Sequence, residues 1–276
     1  VLSEGKGSFI MGNPQFQVKE SDSIAEERKS CPDTKEEKGC LDTEERKGRT
    51  DTEKRRDCPD REERDCPNKA GFAKIRPEDI KQLPFAEVEA QIVGAYCGSA
   101  YLTGKEANRR QFLCCGSNRN IHLATHGYYD LSEETDSLYS SCLLFAGVKD
   151  WLESHISSEE YGTGIVTADE ISRLDFHGVE LAVLSSCLTG MNSALFSKGF
   201  QGIVGGFSAA GVKYVISNLW RADDLATAIL MGAFYYQYRV KKLAPPVALK
   251  EAQRYVREVS VQKLKAQNWF ISMLHN

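Results

Sequence analysis

The chain has 276 residues, of which 41% are hydrophobic and 27% charged, with a formal net charge of −4. That hydrophobic share suffices for a sizeable core and excludes global disorder. Mild acidity argues against a dedicated nucleic-acid binder, and no apolar run approaches the ~18 residues of a membrane span. The chain opens Val1-Leu2-Ser3-Glu4, without an initiator Met or a signal-peptide core, as a piece of a longer protein would. Nine scattered cysteines without a secretion signal read as mostly reduced thiols in a cytoplasmic setting.

In chain order, Ser8 to Met11 is strand-like and ends at Gly12-Asn13-Pro14, a turn signal. From Lys19 to Lys69 there are 14 Lys/Arg and 17 Asp/Glu in 51 residues, and Ile24, Ala25 and Leu41 are nearly all that is apolar. Such a segment buries too little surface to offset chain entropy, so residues 19–69 are expected to form a disordered, solvated insertion. Copies of about nine residues begin at Cys31, Cys40, Arg49 and Cys58, and a partial one at Cys66. They lack the apolar positions a stacked solenoid needs. Cys31, Cys40, Cys58 and Cys66 lack the paired spacing and the nearby His that zinc sites favour, so no metal is expected there.

Leu83 to Cys97 has helical periodicity, and Asn120 to Thr125 alternates as a strand does. Cys142 to Ala146 is another apolar run. Thr167-Ala-Asp-Glu170 is a capping box that opens a short helix to about Leu174. Glu180 to Ser185 and Lys213 to Leu219 are buried strands, separated by a Gly-rich helix over Lys198 to Ala210. Asp224 to Tyr238 and Pro245 to about Lys265 are amphipathic helices, and Trp269 to Leu274 is a last strand. Strands alternating with helices predict an α/β fold with a mostly parallel sheet covered on both faces. Ligands of such sheets sit beyond the carboxyl ends of the strands.

Two of these strands end in reactive residues. Ile121-His-Leu-Ala-Thr-His126-Gly127 delivers His126, and Leu181-Ala-Val-Leu-Ser-Ser-Cys187 delivers Cys187. If the strands are neighbours, imidazole and thiol meet at the carboxyl edge. The imidazole then makes the thiol a nucleophile and later protonates a leaving amine. The backbone N–H groups of Gly127 and Cys187 are candidates for an oxyanion hole. Taken singly, His126 reads as a core histidine in a turn and Cys187 as a small buried hydrophobe. His122, four residues before His126, is too far along an extended strand to share a metal with it and reads as a hydrogen-bonded core residue. Cys114, Cys115 and Cys142 read as packing residues. Leu102-Thr-Gly-Lys-Glu106 lacks the glycine and hydroxyl of a P-loop.

The stretches IHLATHGYYD (121–130), GIVTADEISRLDFHGVELAVLSSCLTG (164–190) and GVKYVISNLWRADDLATAILMGAFY (211–235) resemble the CHAT domain, a peptidase-like domain related to caspases and separase. IMGNP (10–14) and LPFAEVEAQIVGAYCGSAYLTGKEA (83–107) extend the resemblance from about Phe9 to the C-terminus. The resemblance implies a caspase-like three-layer sandwich with a mostly parallel central sheet, interrupted here by residues 19–69. It also implies a Cys/His peptidase dyad with His126 as acid/base and Cys187 as nucleophile. The local pattern is Cys-x-x-Gly, so aspartate specificity is not implied. Ser217-Asn-Leu-Trp220 resembles the segment that lines the caspase substrate cleft, where an extended peptide would pair by β-augmentation. Trp220 would be an apolar wall, and Asp224, Asp223 or Asp130 would accept a basic side chain. The competing reading makes Asp224 the opening residue of the following helix.

The expected function is therefore a cysteine endopeptidase with a protein or peptide substrate and no cofactor, metal, nucleic acid or membrane partner. It would be regulated inside a larger protein, with an upstream repeat domain of the kind the family often carries. The rival expectation is a catalytically silent caspase-like signalling module.

Overall fold

The computed structural model describes residues 6–18, 72, 75–129, 137–185, 187–189, 196–218 and 223–259; for residues 137, 187–189 and 196–201 it describes the backbone alone. Residues 19–66 separate as a unit from residues 1–18 and 67–276. The predicted insertion and the predicted strand at Trp269–Leu274 lie outside the described residues. Chain order runs β1 (Ser8–Pro14), α1 (Pro84–Cys97), β2 (Leu102–Gly104), α2 (Arg109–Leu113), β3 (Asn120–Ala124), β4 (His126–Tyr129), α3 (Ser137–Ser140) and β5 (Ser141–Leu144). It continues with α4 (Val148–Ser154), β6 (Ile165–Thr167), α5 (Ala168–Ser172), β7 (Leu181–Leu184), β8 (Cys187–Thr189), α6 (Phe196–Ala209), β9 (Tyr214–Ser217), α7 (Asp224–Tyr235) and α8 (Pro245–Glu258).

Five strands form an all-parallel sheet in the order β2-β1-β3-β7-β9. Alternation along each strand sorts its side chains to two faces. Ile121, Leu123, Ala182 and Leu184 pack with Phe112 of α2, Ile171 of α5, and Ile203 and Phe207 of α6. Ile10, Leu181 and Val183 pack with Ala90 and Val93 of α1, Met231 and Phe234 of α7, and Ala248 and Ala252 of α8. Helices thus cover both faces, which gives the three-layer α/β sandwich that the sequence implies.

A second, smaller sheet has the order β6-β5-β4-β8, with β4 parallel to β8 and antiparallel to β5. Of its strands the sequence reading registered only the apolar run over β5, because β6 and β8 have three residues each and β4 follows β3 after a single residue, too little for a separate period to register. A third apolar cluster backs it: Phe16, Phe72, Ile75 and Ile80 meet Cys142 and Leu144 of β5 and Val148, Trp151 and Leu152 of α4. The capping box is present as read, with Glu170 N donating to Thr167 Oγ1 at 3.1 Å and Thr167 N donating to Glu170 Oε2 at 2.9 Å.

β1 does not turn at Gly12 but runs on to Pro14, because Pro14 aligns with Gly104 of the edge strand β2. Gly12 serves packing instead: a Cβ there would lie 2.2 Å from the Ala86 carbonyl oxygen and 2.9 Å from Ala90 Cβ, both on α1. The predicted helix to Tyr238 is regular only to Tyr235, after which a π-helical turn covers Tyr236–Val240. α8 ends at Glu258, with Val259 extended.

His122 is a core residue, as read. Its Nδ1 lies 3.2 Å from the Tyr235 hydroxyl, and its Nε2 lies 2.9 Å from the buried Glu89 carboxylate, off the axis of a linear hydrogen bond. Cys115 and Cys142 are buried free thiols whose pKa values burial pushes up. Cys114 corrects the packing reading: it is exposed and disulfide-bonded.

Gly12→Ala is expected to lower stability by about 2–3 kcal/mol, because α1 must retreat from the sheet. Gly205→Ala, where a Cβ meets nothing within 4 Å, is expected to raise it by up to ~1 kcal/mol through helix propensity. Urea unfolding of the two variants beside the parent chain checks both signs.

Candidate active site

β3 and β7 pair in parallel with Asn120 opposite Leu181 and Leu123 opposite Leu184. The ladder continues beyond them, with Ser185 N donating to Leu123 O at 2.8 Å. At the next positions the chain passes into the small sheet with the same offset, so His126 pairs with Cys187 and Gly127 with Leu188. Neighbouring strands are about 4.8 Å apart, which makes the backbones of His126 and Cys187 lateral neighbours at the carboxyl edge. Buried Thr125 fixes the crossing between the sheets by donating its hydroxyl proton to Leu144 O of β5.

His126 is only 8% exposed, and its ring is tilted against Phe16, with centroids 5.1 Å apart. Its Nε2 lies 2.7 Å from the Lys81 carbonyl oxygen. A carbonyl oxygen only accepts, so Nε2 carries a proton and donates it. In the neutral ring the basic lone pair is then at Nδ1. Sequence reasoning missed Lys81 because the contribution is a main-chain carbonyl, which no side-chain pattern announces.

The carbonyl is itself held. Ile80 N donates to Pro77 O at 3.2 Å, and the Ile80 side chain is buried in the cluster beside Phe16. Downstream, Leu83 N donates to Asn13 Oδ1 at 3.1 Å, and Phe85 N donates to Asp224 Oδ2 at 3.0 Å. Asn13 follows Gly12 near the end of β1, with a left-handed φ of 47°.

Gly127 lies inside β4, aligned with Leu188 on one side and Leu143 on the other. Asp223 is the N-cap of α7, its Oδ1 accepting from Ala226 N at 2.9 Å. Asp224 is the first residue of that helix, and its carboxylate reaches α1. Asp224 thus opens α7, as the competing reading of the sequence has it, while Asp223 caps that helix, and holding a basic substrate side chain would compete with the bonds of both acids. Trp220 and Asp130 lie outside the described residues. Among the described residues no group of three or more His, Cys, Asp or Glu is placed to hold a metal, and no helix is long and apolar enough to cross a membrane.

A parallel α/β sandwich that sets a His and a Cys side by side at its carboxyl edge defines a caspase-like domain. The CHAT-domain family profile matches residues 2–273, and the chain belongs to the CHAT family, within a cysteine-peptidase-like clan. No curated protein and no solved structure matches the chain.

Burial pushes the Asp224 carboxyl up from 3.8 to about 6, against the Phe85 N–H bond that favours its charge, and Glu89 and Asp223 push it further up. The folded chain therefore holds this proton more tightly than the unfolded chain. The resulting stabilisation is complete below about pH 4 and lost as pH rises through about 6. Asp224→Asn removes that dependence, so its stability relative to the parent is expected to rise between pH 4 and pH 7. Thermal unfolding across that range checks the sign.

Proposed function

We propose that this CHAT domain is a cysteine endopeptidase in which Cys187 is the nucleophile and His126 its general base. The observation that carries the reading is the alignment of His126 with Cys187 in adjacent parallel strands. In-register positions of such strands share a sheet face. The Lys81 tie adds support, because it leaves the basic lone pair of the neutral ring at Nδ1.

In this mechanism Nδ1 of His126 takes the thiol proton, and the Cys187 sulfur forms a bond to the carbonyl carbon of the scissile peptide. The oxyanion is stabilised by backbone amides at this edge, with Cys187 and Gly127 the candidates, the latter between β5 and β8. Collapse breaks the C–N bond, and the imidazolium gives its proton to the departing amine. Water, deprotonated by the same imidazole, then hydrolyses the thioester and restores the thiol. The substrate pairs in extended form along the segment after β9, with Trp220 as an apolar wall and Asp130 a candidate acceptor of a basic side chain. The chemistry calls on no metal or cofactor. A cytoplasmic setting and an upstream repeat domain or regulatory partner belong to the same proposal.

Cys187→Ala and His126→Ala are each expected to lower cleavage of a peptide library by at least about 10³-fold, with far-UV circular dichroism unchanged. Cleavage by purified Cys187→Ala at the parent rate overturns the proposal. An irreversible thiol-directed peptide probe gives a second reading. Labelling confined to Cys187 supports the enzyme, whereas equal labelling of several cysteines without substrate protection points to a non-enzymatic signalling module.

A further inference from the structure

The segment that carries the Lys81 carbonyl has no regular structure of its own. It spans the gap between a 3-10 turn at Pro77–Asp79 and the first turn of α1. Its position must therefore come from the bonds at its two ends. Upstream, the turn and the buried Ile80 side chain supply it. Downstream, the first turn of α1 has orphan amides like any helix start. Pro84 at the first position has no N–H, Ala86 N donates to Leu83 O, and Phe85 N is left for a distant acceptor. Leu83, the N-cap residue, offers no side-chain cap. The missing cap arrives from elsewhere in the chain, as the Asp224 carboxylate, while Asn13 binds Leu83 N.

We propose that Asp224 is a positioning residue for His126, fixing through Phe85 the backbone segment whose Lys81 carbonyl orients the imidazole. The route is short and made of strong links. Asp224 Oδ2 accepts from Phe85 N at 3.0 Å, and Phe85 follows Lys81 by four residues. Lys81 O accepts from His126 Nε2 at 2.7 Å. Asn13 secures the midpoint at Leu83 and also donates from Nδ2 to Glu87 Oε2 at 3.2 Å, joining β1 to the first turns of α1. Asp224 belongs to α7, which follows directly on the segment where Trp220 sits. The bond therefore ties the start of α7 to the start of α1. Without it the start of α1 is held by Asn13 alone and shifts, the Lys81 carbonyl moves from Nε2, and the ring loses a partner that favours its Nε2–H tautomer.

The catalytic consequence rests on the peptidase reading; the effect on the ring does not, and the test separates them. The full chain is labelled with ¹⁵N-histidine, and His126 is assigned by its loss in His126→Gln. In the parent, His126 is expected in the Nε2–H form at neutral pH. Asp224→Ala is expected to populate the Nδ1–H form, and Asp224→Asn, which keeps an acceptor oxygen for Phe85 N–H, to restore the parent signal. Asp224→Ser suits the same first-turn position but is one bond too short, and it serves if the alanine chain does not fold. On a cleaved library peptide, the Ala or Ser variant should lose about tenfold in kcat with KM within about twofold, a split that lost positioning alone produces. An unchanged His126 tautomer in the Ala or Ser variant overturns the proposal, whatever the cleavage assay gives. A shifted tautomer in a chain whose parent cleaves nothing upholds the positioning role and removes the peptidase reading instead.

Discussion

The hydrogen-bond ladder between β3 and β7 governs everything at the carboxyl edge. These strands are central and buried on both faces, so their register is fixed by core side chains: Ile121, Leu123, Ala182 and Leu184 toward α2, α5 and α6, and Leu181 and Val183 toward α1, α7 and α8. A slip of one residue would send each of those side chains to the opposite layer. The alignment of His126 with Cys187 inherits this constraint, since the same offset passes from the large sheet into the small one.

Polar contacts then refine what apolar packing has set. Thr125 pins the crossing to β5, Lys81 O takes the proton of His126 Nε2, and Asn13 and Asp224 hold the start of α1. Each is a single hydrogen bond, worth about 0.5–1.5 kcal/mol in net stability. None of them decides the fold, but together they decide where one imidazole points. The deep layer holds a different polar group: the buried Glu89 carboxylate beside His122, with Tyr235 on the other ring nitrogen. It fastens α1 and α7 to β3 from within.

Much of this was legible in the residues. Long apolar strands, capped helices and the strand-end positions of His126 and Cys187 are local signals, and the parallel sheet follows from their alternation. The Thr167 capping box was readable to the residue because its chemistry is complete within four positions. What escaped reading was either too short or too distant. The strands of the small sheet give no period, and their antiparallel pairing is a tertiary choice. The run of β1 to Pro14 depends on an edge partner, Gly104, 90 residues on in the sequence. Lys81 acts through its main chain, and Asp224, expected either to open its own helix or to meet a substrate, proves to cap α1 as well. Long-range capping leaves no mark in a one-dimensional pattern.

Because alignment at the edge is set by pairing in the core, the two tethers that lead out of it must keep their length: the three steps from Leu123 to His126 and the three from Leu184 to Cys187. One residue added to either tether would face His126 with a different neighbour. The connections between β4 and β5, β5 and β6, and β6 and β7 are held to no such count. Insertions and deletions are therefore tolerated on very unequal terms along this gene product: the connections between elements can drift in length, whereas the paired strands and these two tethers cannot.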